Sequence, residues 1–363
     1  MKRNPSVELM RIIACLIVLA CHCNLLLNVS EPDAFYRNFI TGILCDGVTI
    51  FWMITGFFIF NNKSYKKLWL HTLTRILIPL FLLYIVDIFL ADFLLAKASL
   101  TESMSNGVGR IPDYLISIIH LDTPSPTTSH TWYVFAYILV ILVFPIIKAF
   151  ASYLQENKKR QIVFLTITAC VWIANDALFN KLLDFSFHGA GVIIPSVLLV
   201  LWGYVIYLNK ELLSRRIFIL VCPIAFILVN MLRTFISISV SNNEMFDYSG
   251  SLFTWYSFFG VINAILVVSF CFSLANNKVS FINKTICFIA STTYGIYLIH
   301  PLIQESALHL GLFDLLRSTL TKSLPEWAYL VFAVLISTLA SFVVCFVISS
   351  IIVLIKKLFI LRK

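Results

Sequence analysis

Arg11 and His22, in the first hydrophobic segment RIIACLIVLACH, are the residues of this chain best placed to do chemistry. An ionisable side chain in a membrane span is costly, so it marks a candidate functional site. Eleven helical residues make about three turns and rise about 16 Å. A helix here therefore presents both side chains on one face, a permanent cation at one depth and a titratable base at another. Glu8 is spaced to pair with Arg11.

Other ionisable residues interrupt later apolar segments. Asp46 opens CDGVTIFWMITGFFIF, and Arg75 begins TRILIPLF. Arg233 lies inside another apolar segment, and His300 lies in STTYGIYLIHPLI. Each has a structural alternative as well as a functional one. Asp46 is then a helix cap, Arg75 a cytoplasmic anchor, and the other two are polar partners across helices.

The composition indicates the class of protein in which these residues sit. Hydrophobic residues make up 60% of the 363 residues and charged residues only 12%, against roughly 25% charged residues in soluble domains. The net charge of +9 comes from basic residues spread over many short connections. Without a basic domain or arm, this charge does not indicate a nucleic-acid partner. We predict that the chain lies in a lipid bilayer.

The apolar segments are long enough to cross a bilayer, which takes about 20 helical residues. We predict an all-α fold, a polytopic membrane helix bundle of about ten transmembrane helices that forms one domain over residues 1–363. Thr55 and Gly56 interrupt the second span, as a close contact between helices would. The predicted spans are 7–28, 41–61, 73–96, 131–147, 161–179, 188–208, 217–238, 252–275, 285–306 and 327–355.

The basic residues also predict the topology. With the N-terminus in the cytoplasm, the tails and connections on that side hold 18 Lys and Arg residues, and the external connections hold 6. This asymmetry favours ten spans with both termini cytoplasmic. Glu8 and Arg11 in the first apolar stretch argue against a cleaved signal peptide, so we expect the first span to be retained.

The longest external connection, residues 97–130, is a further candidate for function. It ends in the polar turn DTPSPTTSH, directly before Trp132. The aromatic residue fits an anchor at the membrane interface. Alternatively, the connection roofs an external cavity that includes His130. Asp87 and Asp92, which precede this connection, are interpreted as marking where the third span meets water.

The cysteines do not indicate a metal site. Cys21 and Cys23 flank His22, but consecutive helical positions point in different directions and make a poor tetrahedral site. All nine cysteines fall in predicted spans, where small apolar packing explains them. We predict no metal and no tightly bound cofactor.

Five motifs together resemble the membrane-bound acyltransferase-3 family. In chain order they are VELMRIIACLIVLACH, DGVTIFWMITGFFIF, TRILIPLF, HTWYVFAYIL and STTYGIYLIHPLI. The resemblance implies an enzyme that moves an acyl group, commonly acetyl, from cytoplasmic acyl-CoA to a hydroxyl of an extracytoplasmic carbohydrate. Glu8, Ile12 and Thr55 stand where the family commonly has Asp, Gly and Ser, and none of these departures removes a proposed catalytic group.

The residue types fit this chemistry. A sugar hydroxyl is a poor nucleophile until a base takes its proton, and histidine is suited to that near neutral pH. His22 is the proposed base, with Asp46 as an orienting or polarising partner. We assign catalysis to His22, Asp46 and Glu8, binding of CoA phosphates to Arg11 and Arg75, and substrate binding to His130, Trp132, Arg233, Tyr294 and His300.

The expected partners are acyl-CoA as co-substrate, a cell-surface polysaccharide or lipid-linked glycan as acceptor, and the bilayer. The donor is acetyl-CoA or a slightly larger acyl-CoA such as succinyl-CoA, and the expected location is a bacterial plasma membrane. Intramembrane Arg, His and Asp also suit a transporter or flippase for an anionic or lipid-linked glycan. The chain shows no inverted repeat, which argues against that alternative. A non-catalytic scaffold leaves the intramembrane polar residues without a reason.

Overall fold

A computed structural model of the chain describes residues 4–27, 34–61, 64–95, 97–177, 192–240, 252, 254–274, 280–320 and 324–361. Over these ranges the protein is all-α, without a strand. A π-helical segment, Leu73–Leu77, and a 3-10 turn, Pro126–Thr131, accompany the α-helices. The α-helices are α1 (Pro5–Leu27), α2 (Ala34–Leu44), α3 (Gly47–Ile59), α4 (Tyr65–Thr72), α5 (Ile78–Leu94), α6 (Leu100–Ile119), α7 (Trp132–Leu142), α8 (Phe144–Gln155), α9 (Lys158–Ala177), α10 (Ile193–Leu208), α11 (Lys210–Leu213), α12 (Phe218–Val240), α13 (Phe258–Leu274), α14 (Ser280–Ala290), α15 (Thr293–His309), α16 (Leu312–Leu320) and α17 (Glu326–Leu361).

Several of the described helices are long and apolar enough to cross a membrane. Five qualify, or up to seven if each of two bent helix pairs counts as one span. The apolar helices α10 and α13 are shorter, at 16 and 17 residues. The predicted fold class is therefore confirmed, while the count of ten spans and the cytoplasmic termini stay predictions. Parts of the predicted spans 161–179 and 188–208 lie outside the described residues.

The chain divides into two compact units. The first comprises Met1–Val18, Ser30–Lys67 and Ala136–Ala290. Within it α3 packs along α10, and α12 packs on both α2 and α13. A methyl group on Gly56 would overlap the carbonyl oxygen of Val200, so only glycine lets α3 and α10 approach this closely. The helix contact predicted at this glycine is confirmed.

The second unit comprises Leu19–Val29, Leu68–Phe135 and Ser291–Lys363. Helix α15 has the most partners in it, because it packs on α5, α16, α17 and the 3-10 turn. Helix α6 packs on α5. Helix α1 contributes its first part to one unit and its last part to the other. The prediction of a single domain stays a prediction.

Two predicted spans are interrupted in ways that matter for the site. The second span is broken at Cys45 and Asp46, between α2 and α3. In the third, the segment Leu73–Leu77 is π-helical and carries Arg75. Single π-helical turns inside α-helices occur frequently at functional sites. Both interruptions coincide with an ionisable residue that the sequence had singled out.

Candidate active site

Three histidines that are far apart in sequence meet in the second unit. His22 comes from the end of α1, His130 from the 3-10 turn and His300 from α15. The ring of His300 contacts both others, with its centroid 4.9 Å from that of His22 and 5.1 Å from that of His130. Both pairs are edge-to-face. We call these three residues the histidine cluster.

The ring nitrogens of the cluster are largely unused within the described part of the chain. His130 and His300 are only 3% and 0% exposed. Neither ring nitrogen of His130, nor Nε2 of His300, has a hydrogen-bond partner among the described residues. Buried polar groups are normally paired, so such exceptions need an explanation. His22 is half-buried.

The structure also sets the tautomer of His300. Its Nδ1 lies 2.7 Å from the carbonyl oxygen of Tyr297. Because a carbonyl only accepts, Nδ1 must donate the hydrogen. In the neutral ring Nε2 then carries a lone pair. His300 therefore presents an unpaired proton acceptor within the cluster.

His130 is held through its backbone. The Tyr297 hydroxyl donates to the carbonyl oxygen of His130, and the two rings are 5.1 Å apart. The next residue, Thr131, bonds the Tyr84 hydroxyl at 2.8 Å and donates to the Thr128 carbonyl at 2.7 Å. The end of the 3-10 turn is thus fixed from two helices. The imidazole is therefore positioned without a hydrogen bond between its ring nitrogens and any described residue.

The start of the turn is held by Asp87, which is 2% exposed. Its carboxylate accepts hydrogen bonds from the hydroxyls of Ser125, Thr127 and Tyr114. Burial, and then the neighbouring Asp87 carboxylate, raise the pKa of Tyr114 above its ordinary value, so its hydroxyl remains a donor at neutral pH. This aspartate, interpreted from sequence as marking where the third span meets water, is an anchor for the turn that carries His130.

Asp46 and Arg233 form a buried ion pair in the first unit. Arg233 is fully buried, and its Nη1 lies 3.0 Å from Asp46 Oδ2. The guanidinium also donates to the Leu252 and Gly42 carbonyls and to Ser257 Oγ. The carboxylate further accepts from the Asn263 amide at 2.7 Å. The predicted catalytic role of Asp46 and substrate-binding role of Arg233 stay predictions, beside this well-supported structural pairing.

Glu8 and Arg11 pair as their spacing predicted. Arg11 Nη1 lies 3.1 Å from Glu8 Oε2, and the arginine side chain is 32% exposed. Its guanidinium also lies 5.4 Å from the ring centroid of Phe58. Arg11 and His22 share the continuous helix α1. A partly exposed cation held by one carboxylate has donors left for an anionic ligand.

The remaining predicted residues lie in the second unit. Arg75 is exposed, and the Tyr294 hydroxyl donates to the carbonyl of its neighbour Ile76 at 2.9 Å. Tyr294 thus supports the π-helical segment that presents Arg75. Trp132 begins α7 and lies edge-to-face on Tyr133, which in turn contacts the ring of Tyr297. Their assigned binding roles stay predictions.

The sequence reasoning missed Tyr297 and the role of Asp87 in this arrangement. Tyr297 lies three residues before His300, so helical spacing placed both on one face of α15. That signal was present in TYGIYLIH. Asp87 was named, but its partners lie 27 to 40 residues away in the chain. No local pattern predicts such pairing.

One of the comparisons with known proteins identifies a family. A family model described as an acyltransferase domain, Acyl_transf_3, matches residues 4–348. No curated protein and no solved structure matches the chain. The family match covers both units, the histidine cluster and the paired arginines. The chain is therefore a multi-pass membrane acyltransferase that belongs to the acyltransferase-3 family.

Proposed function

We propose that this enzyme is an O-acyltransferase, with acetyl as the transferred group, that acts on a hydroxyl of an extracytoplasmic cell-surface glycan. The donor is cytoplasmic acetyl-CoA, and the enzyme works in a bacterial plasma membrane. The observation that supports this proposal is the histidine cluster, where a half-buried imidazole adjoins two others with unused ring nitrogens. Unpaired proton acceptors gathered in one place fit proton transfer to and from a substrate.

The proposed reaction needs one base and no external oxidant or reductant. His22 takes the proton of the acceptor hydroxyl as the oxygen attacks the thioester carbonyl carbon. A carbon–oxygen ester bond forms and the carbon–sulfur bond breaks. His22 then gives its proton to the departing CoA sulfur, so the base is regenerated. His300, whose Nε2 is unpaired, orients the imidazole of His22 or the hydroxyl by accepting a hydrogen bond.

The arginines fit the other half of the reaction. CoA carries phosphates, and arginine recognises phosphate with paired donors. Arg75 is exposed on the π-helical segment, and Arg11 is partly exposed beside Glu8. We assign both to the CoA phosphates. Such contacts change the affinity for acyl-CoA rather than the proton transfer.

The deciding experiment is mass spectrometry of surface glycans from cells with the wild-type protein, without it, and with His22→Ala at matched membrane abundance. His309→Ala is the matched control, because it removes an exposed histidine at the end of α15. We expect an acetyl increment with the wild type and the control, and its loss in the other two samples. An increment that survives in His22→Ala would contradict the base assignment.

The same samples test the transporter alternative. Unmodified glycan that reaches the surface only when the protein is present, with no acyl increment in any sample, would contradict acyl transfer. Purified protein supplied with acetyl-CoA or succinyl-CoA then distinguishes the donor. Transfer from succinyl-CoA alone would contradict the acetyl assignment and leave the acyltransferase intact.

A further inference from the structure

A cavity of about 330 Å³ lies in the second unit, between α5, α6, α15 and the start of the 3-10 turn. All of its lining residues belong to that unit. Its volume falls at the lower end of the range for small-molecule sites. Helix α6 and the turn form most of the connection that the topology prediction places outside. On this predicted topology, the cavity lies on the side from which an extracytoplasmic acceptor arrives.

The lining is polar and carries both charges, with an excess of carboxylates. Four carboxylates face two cations, and Arg110 is already paired with Asp92. No described residue forms an ion pair with Asp113 or Glu305. Free carboxylates accept hydrogen bonds from hydroxyl or ammonium groups and repel other anions. The charged lining residues are Asp87, Asp92, Asp113, Glu305, Lys97 and Arg110.

The turn connects this cavity with the histidine cluster. Ser125, Pro126 and Thr127 line the cavity, and His130 follows three residues later in the same turn. Three residues of 3-10 helix rise about 6 Å. The Asp87 carboxylate, which itself lines the cavity, binds the hydroxyls of Ser125 and Thr127. The cavity lining and the backbone of His130 are therefore about one helical turn apart along the same turn.

We propose that this cavity binds the acceptor sugar and selects a neutral or amino-substituted sugar over one that carries carboxylate or phosphate. The inference rests on the proposed function and adds the acceptor class to it. Sugar hydroxyls donate to the unpaired carboxylates of Asp113 and Glu305. An anionic sugar meets the carboxylate excess and is disfavoured.

The test uses purified full-length protein in lipid nanodiscs with radiolabelled acetyl-CoA. The acceptor probe is unacylated surface glycan taken from cells that lack the protein. The variants Asp113→Asn and Glu305→Gln remove one lining carboxylate each while keeping the shape of the side chain. Asp122→Asn is the matched control, because it removes an exposed carboxylate of the same connection that is not part of the lining.

We expect each lining variant to raise the acceptor KM about tenfold, as loss of a charge-assisted hydrogen bond does, with the KM for acetyl-CoA unchanged. The control should stay within about twofold of wild type, and the acetylated sugar should be neutral or amino-substituted. An unchanged acceptor KM in both lining variants, or a carboxylate or phosphate on the acetylated sugar, would overturn the inference alone. Failure of the wild type to acetylate the probe would overturn the proposed function, and the inference with it.

Discussion

The buried ion pair of the first unit and the histidine cluster of the second use polar side chains in opposite ways. Arg233 is completely buried and donates hydrogen bonds to a carboxylate, a hydroxyl and two backbone carbonyls. His130 is also buried, yet both its ring nitrogens lack a partner among the described residues. A charge in a low-dielectric interior is stable only when it is paired in this way. A neutral imidazole tolerates an unpaired ring nitrogen at a lower cost in free energy, and that nitrogen can form a hydrogen bond with a substrate.

Burial alone does not distinguish a functional residue from a structural one. Ionisable residues in a membrane span are functional candidates by default, and Arg233 and His300 are both such candidates from the sequence alone. The two residues differ in their hydrogen bonds. Arg233 donates four hydrogen bonds within the described part of the protein. Nε2 of His300 has no partner among the described residues, so it can accept a hydrogen bond from a ligand. We therefore interpret the ion pair as structural and the histidine cluster as the candidate site of the chemistry, while the roles assigned to Asp46 and Arg233 stay predictions.

Arg233→Met is expected to give the largest effect, and it tests whether the buried ion pair supports the fold. It leaves the Asp46 carboxylate buried without its cation, a loss of about 3–5 kcal/mol in the free energy of unfolding. We expect little folded protein, measured as the monodisperse fraction in detergent by fluorescence-detected size-exclusion chromatography. Arg233→Met combined with Asp46→Asn removes both charges and should recover part of the fold. A single variant that folds normally but binds acceptor weakly would instead support the substrate-binding prediction.

His300→Asn tests whether the histidine cluster takes part in acyl transfer. An asparagine amide replaces Nδ1 as donor to the Tyr297 carbonyl, while the unpaired Nε2 is lost. We expect kcat for acyl transfer to fall about 10- to 100-fold, less than the 10²–10⁴ typical of loss of a general base. The yield of folded protein should stay near that of wild type. His309→Asn, on the same helix, controls for loss of an imidazole, and equal activity of both variants would contradict a role for His300.

These two sites also show which contacts can be predicted from the sequence and which cannot. Helical spacing correctly predicted the Glu8–Arg11 pair and the shared helix of Arg11 and His22, because both are local. Hydropathy predicted the all-α membrane class. The Arg233–Asp46 pair joins residues 187 positions apart, and its formation depends on how α2, α12 and α13 pack. No local pattern in the sequence shows that packing.

The break at Asp46 and the π-helical segment at Arg75 have the same explanation. Both segments are apolar enough to predict one unbroken helix each. In the structure Asp46 turns its carboxylate to Arg233 and Asn263, and Tyr294 binds a carbonyl of the π-helical segment. Tertiary partners therefore decide where these helices depart from regular geometry, and local propensity does not record those partners.

Tyr297→Phe is expected to have an intermediate effect on activity, and it tests how His130 is held in the histidine cluster. It deletes the hydroxyl that bonds the His130 carbonyl and leaves the ring packing in place. The expected loss is about 1 kcal/mol, the usual net value of one hydrogen bond, seen as a several-fold drop in kcat as His130 loses its fixed position. Tyr84→Phe removes the second tether of the turn, the bond to Thr131. If the tethers position His130, the double variant should lose more activity than either single one.

Glu8→Gln is expected to give the smallest effect on stability, because its ion pair with Arg11 is partly exposed to solvent. Such pairs contribute less than about 1 kcal/mol, so folded yield should match wild type. A fall in kcat in this variant would support the catalytic role predicted for Glu8. The informative comparison is with Arg11→Gln, which removes the cation from the same pair. If Arg11 binds a CoA phosphate, Arg11→Gln raises the KM for acetyl-CoA about tenfold, while Glu8→Gln leaves it within about twofold because the cation remains. Wild-type KM values in both variants would instead mean that the pair contributes to the fold and not to CoA binding.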